Sequence, residues 1–298
     1  LYPRQARHGA AQEGDMSSRI FRDGLLDGRV CVVTGGGTGI GAATARELAS
    51  LGATVVVASR SLEHIEPAAE GLSAAVGRKV HGDIVDIRDR DGVAAFVERT
   101  LQRHGRIDLL VNNGGGQFFS PAEQIRPKGW DAVIATNLTG TWNMTRGVAD
   151  AWMLEHGGKV VSVTMLTQRG FPGMAHSVAA RAGVEAMTRT LAVEWARHGI
   201  LINCVAPGLI ASSGMKTYPH AAMFLSQMPS LVPLKRMGGC DDVAWLIAYL
   251  ASEAADYVTG QTWTVDGGKE LWGDLWAIPD PDDLRPAEVE PEPWEQKG

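Results

Sequence analysis

Three features of the sequence predict an α/β fold, a single doubly wound parallel sheet with helices on both faces. Seven short β-branched runs recur along the chain, most are separated by stretches with helical spacing, and a glycine cluster follows the first run. The expected strands are Val30–Thr34, Thr54–Ala58, Val80–Ile84, Ile107–Val111, Lys159–Thr164, Ile200–Val205 and Thr262–Val265. Helical spacing falls at Ala42–Leu51, Gly92–His104, Ala175–Trp195 and Cys240–Leu250. Runs that are apolar throughout, with no polar alternation, belong to strands covered on both faces, and the helices between them supply the cover. Right-handed crossovers then wind the sheet, and ligands bind at the carboxyl ends of its strands.

Composition sets the limits. A chain of 298 residues, 45% hydrophobic and 21% charged, can bury a large core without disulfides or metals. Its expected organisation is a flexible polar extension over residues 1–27, one domain over 28–268, and an acidic, proline-rich tail over 269–298. Residues 1–15 show no periodicity, and Met16 is a natural starting point; Trp272, Trp276 and Trp294 can anchor the tail. A net charge of −6 argues against nucleic acid or an anionic membrane as partner. Cys31, Cys204 and Cys240 are too few and too scattered for a metal site and read as free thiols of a reducing compartment. No apolar run reaches the roughly 18–20 residues a membrane span needs. No signal peptide opens the sequence and Gln296-Lys297-Gly298 is no peroxisomal address, so a cytoplasmic location is expected.

The first strand runs into Thr34-Gly35-Gly36-Gly37-Thr38-Gly39-Ile40-Gly41, and a helical pattern follows. Glycines let the backbone turn tightly and approach a pyrophosphate, and a helix N-terminus offers N–H groups and partial positive charge. Gly35, Gly37, Thr38, Gly39, Ile40 and Gly41 are therefore the expected dinucleotide cradle of a Rossmann-type domain. The second strand ends Ala58-Ser59-Arg60, where an acid would hold the adenosine ribose and repel a 2′-phosphate. The acid is missing. Ser59 and Arg60 stand there instead, and Arg60 can pair with a 2′-phosphate through two donors, which predicts NADP(H). A solvated arginine at a helix start is the alternative. Asp86 and Ile87 follow the third strand, with Asp86 either accepting from the adenine amino group or acting as an ordinary cap.

Asn112-Asn113-Gly114-Gly115, Thr136-Asn137-Leu138, Pro207-Gly208-Leu209-Ile210 and Asp266-Gly267-Gly268 come next, in that order. With the glycine loop they resemble the short-chain dehydrogenase/reductase family over residues 28–268. Asn112–Phe118 and His176–Val184 are closer still to its branch of peroxisomal trans-2-enoyl-CoA and 2,4-dienoyl-CoA reductases, which reduce C=C bonds of acyl thioesters with NADPH. The resemblance implies that Asn113 and Gly114 support the adenosine side and the central strands, and that Asn137 holds a helix kink and an ordered water. It implies that Pro207, Gly208 and Ile210 line the nicotinamide, with Ser212 at its carboxamide, and that Asp266 is structural. It also implies a homotetramer, with helices beginning near Pro121 and Ala175 between subunits.

One departure decides the chemistry. Most of the family places a Tyr and a Lys four residues apart on one helix face, where the lysine tunes the phenol as a proton donor. Here those positions hold Ser177 and Arg181, and the serine usual thirteen residues before the tyrosine is Thr164. The tyrosine that dienoyl-CoA reductases carry two residues beyond the Thr164 position is Leu166. A serine hydroxyl is far too weak an acid to replace the phenol, and Arg181 is a planar fork rather than a mobile ammonium. Reducing an enoyl thioester demands less: an oxyanion must be stabilised, and each oriented donor contributes roughly 2.7–4 kcal/mol. Thr164, Ser177 and a bound water are candidate donors, and the α-carbon takes its proton from water or from His176. Neighbouring helix positions lie about 100° apart, so the stronger reading of His176 is a cap or surface residue facing away from Ser177.

Gln117, Phe118 and Phe119 follow the fourth strand and either border the substrate cleft or pack in the core. The Met-rich segment with Met215, Met223 and Phe224 either folds over an acyl chain or packs ordinarily. Lys216, Lys235 and Arg236 are the basic residues nearest to hand for CoA phosphates. Three functions fit these residues. One is an NADPH-dependent reductase of enoyl-CoA or a similar α,β-unsaturated thioester or carbonyl; another is an NADP-dependent alcohol or carbonyl dehydrogenase on fatty or terpenoid substrates. The third is an NADP(H)-binding protein without catalysis.

Overall fold

The computed structural model describes residues 18, 20–212 and 227–272. Nine strands are present among them: β1 (Val30–Thr34), β2 (Thr54–Ser59), β3 (Val80–Ile84), β4 (Leu109–Asn112), β5 (Gly158–Val163), β6 (Ile200–Pro207), β7 (Ile210–Ala211), β8 (Gly238–Gly239) and β9 (Thr262–Val265). Seven form one parallel sheet in the order β3-β2-β1-β4-β5-β6-β9, while β7 and β8 pair separately. The order reverses between β1 and β4, the place where an open parallel sheet leaves a crevice at its carboxyl edge. The helices are α1 (Gly39–Ser50), α2 (Leu62–Val76), α3 (Arg90–His104), α4 (Pro127–Ile134), α5 (Gly140–Val148), α6 (Leu154–His156), α7 (Ala175–Glu194) and α8 (Cys240–Ala251). The π-helical turns Ala135–Thr139 and Ala149–Met153 join α4, α5 and α6 into one continuous rod.

Both faces of the central strands are dry, as their apolar runs require. Leu48, Val55, Ile65 and Ile247 belong to the core on one face, and Phe96, Leu110, Met144 and Ile202 to the core on the other. Val32, Val33, Val56 and Val57 alternate between these two cores, so each central strand buries side chains in both directions.

Element boundaries moved where side chains captured backbone groups. β4 begins at Leu109, two residues later than expected, because the Asp108 carboxylate accepts the Val30 N–H at 2.8 Å and is ion-paired with Arg29 and Arg106. At the other end of the domain core, Leu26 is buried and donates its N–H to the Leu51 carbonyl at 2.9 Å, so packing starts before Gly28. The Cys31 and Cys204 thiols are buried in β1 and β6; burial pushes the first up and the second up to about 12. Among the described residues no helix is long and apolar enough to cross a membrane.

One edge of the sheet carries a pH-sensitive pair. The rings of His81 (β3) and His104 (the last residue of α3) pack edge to face, with centroids 4.7 Å apart. Burial pushes both imidazoles below their ordinary value of 6.5; the partner ring, Arg103 and Lys79 push His81 further the same way, as Arg103 does His104. Below pH 6.5 the unfolded chain therefore binds more protons than the folded one, so stability is fully present above that pH and is lost as pH falls from it. The urea midpoint is expected to fall between pH 7.5 and 5.5 (about one unit either side of the reference value). His81→Phe should flatten that slope; a slope unchanged in the variant would remove the pair as its cause.

Candidate active site

The carboxyl ends of β1 and β4 build a tight backbone knot. Thr34, the last residue of β1, accepts the N–H groups of Asn113 and Gly114 on its Oγ1 at 3.1 and 2.9 Å. Asn113 returns two bonds, from Nδ2 to the carbonyls of Thr34 and Gly35 at 3.1 and 3.0 Å. Gly35 has a φ of 63°, and a Cβ on it would lie 3.0 Å from both Asn113 Nδ2 and the Gly114 Cα. A Cβ on Gly41 would lie 2.2 Å from the Gly35 carbonyl oxygen. Only glycine lets the loop and the first turn of α1 come this close. Thr38 is the N-cap of α1 and its hydroxyl makes no capping bond, so the positive end of the helix is left without a side-chain cap. The result is a concave cradle that fits a diphosphate.

Around the adenosine end, Arg60 is exposed just after β2. Asp86 lies nearby with both carboxylate oxygens taken by Arg88, at 2.9 Å from Nε and 2.5 Å from Nη2. These bonds hold Asp86 below the usual carboxylate range, and Arg60 acts in the same direction. Arg88, which the sequence reading did not single out, is thus neutralised by Asp86, and Arg60 is left as the cation of this corner. Ile87 is buried against Gly140 of α5, and its carbonyl accepts from Asn143 Nδ2 at 3.0 Å.

Asn137 is fully buried in the π turn between α4 and α5. Its amide is bonded to Gly116 in both directions, accepting the N–H at 2.9 Å and donating to the carbonyl at 3.0 Å. The helix takes a π turn at this residue, and the Asn137 side chain pins the loop after β4.

α7 carries Ser177 and Arg181, the residues at the two positions where the resemblance implies a Tyr and a Lys. Ser177 and Arg181 lie one turn apart and are both buried, at 0% and 6% exposure. The Arg181 guanidinium lies against Gly115, where a Cβ would sit 2.2 Å from its Nη2. Nη1 is buried with no hydrogen-bond partner. Burial pushes the guanidinium down to about 10, so it remains charged at neutral pH. A buried cation with an open donor is a strong attractor for an anion or a ribose hydroxyl, and with the glycine cradle it fits a bound dinucleotide.

His176 does not face the surface. It is fully buried, its Nδ1 accepts the Ser177 N–H at 2.8 Å, and the Ser177 hydroxyl lies 3.4 Å from the same nitrogen. The ring thus caps an otherwise unsatisfied N–H of the first turn of α7. A neutral ring that accepts on Nδ1 carries its proton on Nε2, and Nε2 is buried without a partner. The expectation that the two side chains diverge is corrected: the imidazole folds back over its own helix end.

Thr164 also departs from expectation. Its hydroxyl donates to Glu185 Oε1 at 3.1 Å, with the Val205 carbonyl at 3.4 Å, while Thr167 donates to the other oxygen of Glu185 at 3.0 Å. A hydroxyl has one proton, so Thr164 is not a free donor in this arrangement. Glu185 was missed, though it is four residues beyond Arg181 on the same helix face. Its carboxyl is raised above the usual range by burial, against the opposing hydrogen bonds from Thr167 and Thr164.

The description "Enoyl-(Acyl carrier protein) reductase" belongs to the family model that matches residues 35–270. A peroxisomal 2,4-dienoyl-CoA reductase of Danio rerio is 36% identical over 258 residues, 85% of each chain. The 3-oxoacyl-[acyl-carrier-protein] reductase FabG of Thermotoga maritima is 38% identical over 82% of this chain and 98% of its own. Among solved structures, the citronellol catabolism dehydrogenase AtuB of Pseudomonas aeruginosa is 42% identical, with a TM-score of 0.76 over 84% of this chain and 98% of its own. The chain belongs to the short-chain dehydrogenase/reductase family. It is an oxidoreductase of a family whose members use NAD(P)H.

In this short-chain dehydrogenase/reductase the residues implied to line the nicotinamide lie at the end of β6 and on β7. Pro207 ends β6 beside Val265, and a Cβ on Gly208 would lie 2.6 Å from the Asp266 Cβ. Ile210 is buried in β7, and Ser212 follows that strand, half-buried. Asp266 accepts the N–H groups of Gly268 and Glu270 at 2.8 and 2.7 Å, which ties down the turn after β9. Met215, Met223, Phe224 and Lys216 lie outside the described residues.

Gln117, Phe118 and Phe119 are exposed, which removes core packing as their reading. Phe118 stands edge-on to His176 with centroids 4.3 Å apart, and Phe119 lies over Gly173, where a Cβ would sit 2.4 Å from the ring. Of the basic residues expected to meet CoA phosphates, Arg236 is paired with Asp242 at 2.9 Å and Lys235 lies 5.6 Å from the Trp272 ring centre.

Proposed function

We propose that this short-chain dehydrogenase/reductase uses NADPH to reduce the C=C bond of a trans-2-enoyl-CoA or a similar α,β-unsaturated thioester. The supporting observation is the pair of buried donors with no partner in the protein, Arg181 Nη1 and His176 Nε2, at the start of the helix that lacks the usual Tyr and Lys. Bound NADPH supplies hydride to the β-carbon. The C=C electron pair then moves toward the thioester oxygen as an enolate, and donors that meet the growing charge lower the barrier. The Ser177 hydroxyl and Arg181 are positioned to hold ribose and oxyanion. The α-carbon takes its proton from water, and His176, with its proton on Nε2, serves as a hydrogen-bond donor to the developing oxyanion. Thr164 and Glu185 fix the end of β5 against α7, and Asn137 fixes the loop that Arg181 packs on.

The AtuB relative favours a second reading. That relative is named for citronellol, a terpenoid alcohol, so oxidation of such an alcohol with NADP⁺ is the alternative. NADPH consumption with a medium-chain trans-2-enoyl-CoA is the expected result. NADP⁺ reduction by citronellol without enoyl turnover would favour the alternative, and tight NADPH binding with neither activity would point to a non-catalytic role.

The exposed Arg60 after β2, with no acid at the end of that strand, supports NADPH over NADH. Arg60→Ala should weaken NADPH binding roughly tenfold to a hundredfold, the loss of one bidentate charge-assisted contact, and leave NADH almost unaffected. An equal loss for both coenzymes would refute the assignment.

A further inference from the structure

We infer that Glu185 is a positioning residue whose proton decides which way the Thr164 hydroxyl donates, an inference that rests on the thioester reading above. Ser177, Arg181 and Glu185 follow one another at four-residue spacing on α7, and all three are buried. Thr164 comes directly after β5, at the carboxyl edge of the sheet, and is buried as well. Its bond to Glu185 sets it beside the stripe of α7 that carries the donors of the reacting centre. A carboxylate only accepts, so ionised Glu185 draws in the hydroxyl protons of both Thr164 and Thr167, at 3.1 and 3.0 Å. In that state Thr164 has no proton to offer a substrate. Among the described residues nothing donates to Thr164 Oγ1 in return.

A proton on Glu185 reverses that bond. Thr167 goes on donating to Oε2, while Oε1–H donates to the free lone pairs of Thr164. The Thr164 hydrogen is then released, and its other acceptor among the described residues is the Val205 carbonyl, a weak one at 3.4 Å. A thioester enolate is a far better acceptor, so Thr164 joins the donors that meet the growing charge. Glu185 keeps its proton throughout, and water still protonates the α-carbon. The surroundings favour this change. Burial pushes the Glu185 carboxyl above its ordinary 4.5, against the bonds from Thr167 and Thr164 and against Arg189 on the same helix. Glu270, in the turn after β9, pushes it further up, and its own carboxylate accepts the Gln168 N–H at 2.7 Å. From β6 the Cys204 thiol, pushed up to about 12 by burial and further by Glu185, stays neutral and adds no charge. The π turn before α5 meets α7 through Leu138, at Gly183, and Arg181 is turned toward Gly115.

The test is the pH dependence of kcat for a trans-2-enoyl-CoA at saturating NADPH, in the unaltered protein, E185Q, T164V and the double variant. The donor form exists below the raised pKa of Glu185 and is lost as pH rises through it. The kcat of the unaltered protein is therefore expected to fall with rising pH, with a midpoint above 4.5. The amide of E185Q can donate to Thr164 and accept from Thr167 at every pH, so that limb should vanish. At about pH 8 E185Q should exceed the unaltered protein roughly tenfold in kcat, with KM little changed. T164V should be slow and flat, and E185Q should add nothing to it. A limb that persists in E185Q overturns the inference, as does an E185Q slower than the unaltered protein at every pH, the result a merely structural glutamate gives. If the unaltered protein reduces no enoyl thioester, the thioester reading fails, and Glu185 is judged by infrared titration of the NADP⁺-bound protein. A protonated-carboxyl carbonyl band that titrates above 4.5, is absent from E185Q and shifts in T164V supports the reversal of the bond. A band absent at every pH, or indifferent to T164V, overturns it.

Discussion

Arg181→Met is expected to make the ligand-free protein more stable and nearly inactive. The guanidinium is 6% exposed, charged at neutral pH, and has one nitrogen without a partner. Burying such a charge costs more than its surroundings return, and exchanging buried charged groups for apolar ones of similar volume often stabilises by about 1–4 kcal/mol. Methionine is unbranched and can follow the path of the arginine stem against Gly115. Activity should move the opposite way. Loss of one positioned donor to ribose or oxyanion lowers kcat by roughly 10²–10³. A urea titration and a kcat measurement on the same preparation check both halves. A less stable variant would mean that Arg181 has a partner in the ligand-free state and that its open donor is not held in reserve for a ligand.

Gly41→Ala is expected to damage the cradle more than any neighbouring change. The new methyl would stand 2.2 Å from the Gly35 carbonyl and 2.5 Å from Asn113 Nδ2, the two groups whose bond closes the knot. Overpacking contributes about 1–3 kcal/mol, and the lost hydrogen bond about 1 kcal/mol. If that falls on the ligand-competent conformation, dinucleotide affinity drops roughly thirtyfold to a thousandfold. Gly37→Ala is the control, because its Cβ would meet only Ile65 Cδ1 at 3.4 Å and the Ala68 Cβ at 3.7 Å, ordinary contact distances. Melting curves should show Gly37→Ala close to the unaltered protein and Gly41→Ala several degrees below it. Equal melting temperatures for the two would show that the knot is not tight at Gly41.

The central strands were readable because a buried parallel strand writes itself as an apolar run, as in β1; the edge strands β3 and β9, though half-exposed and partly polar, also fall on the expected residues. The rod from α4 to α6 was not readable, for a physical reason. Its inner face carries Asn137, Thr141, Asn143 and Thr145, all buried and polar, so the apolar periodicity that marks a helix is missing. Two π turns shift the phase of what remains. α2 was masked in a simpler way, by Pro67 inside it. In the site, Ser177 and Arg181 were legible from spacing on one helix. Glu185 shares that face and was passed over because a mid-helix glutamate ordinarily faces water; only the meeting of α7 with Thr164 and Thr167 shows it to be buried. Counting residues located the Thr164 hydroxyl but not the direction in which it donates. Arg88 escaped notice for a similar reason, since its partner Asp86 was read as waiting for adenine.

The central claim is that the knot of Thr34, Gly35, Gly41 and Asn113, together with the open donor on Arg181, exists to receive a nicotinamide dinucleotide. Calorimetric titration of the purified protein with NADPH and NADH tests it most directly. Saturable uptake of one NADPH per chain, tighter than NADH, is the expected outcome. Absence of heat from both coenzymes, at concentrations where a folded relative binds them, would contradict it.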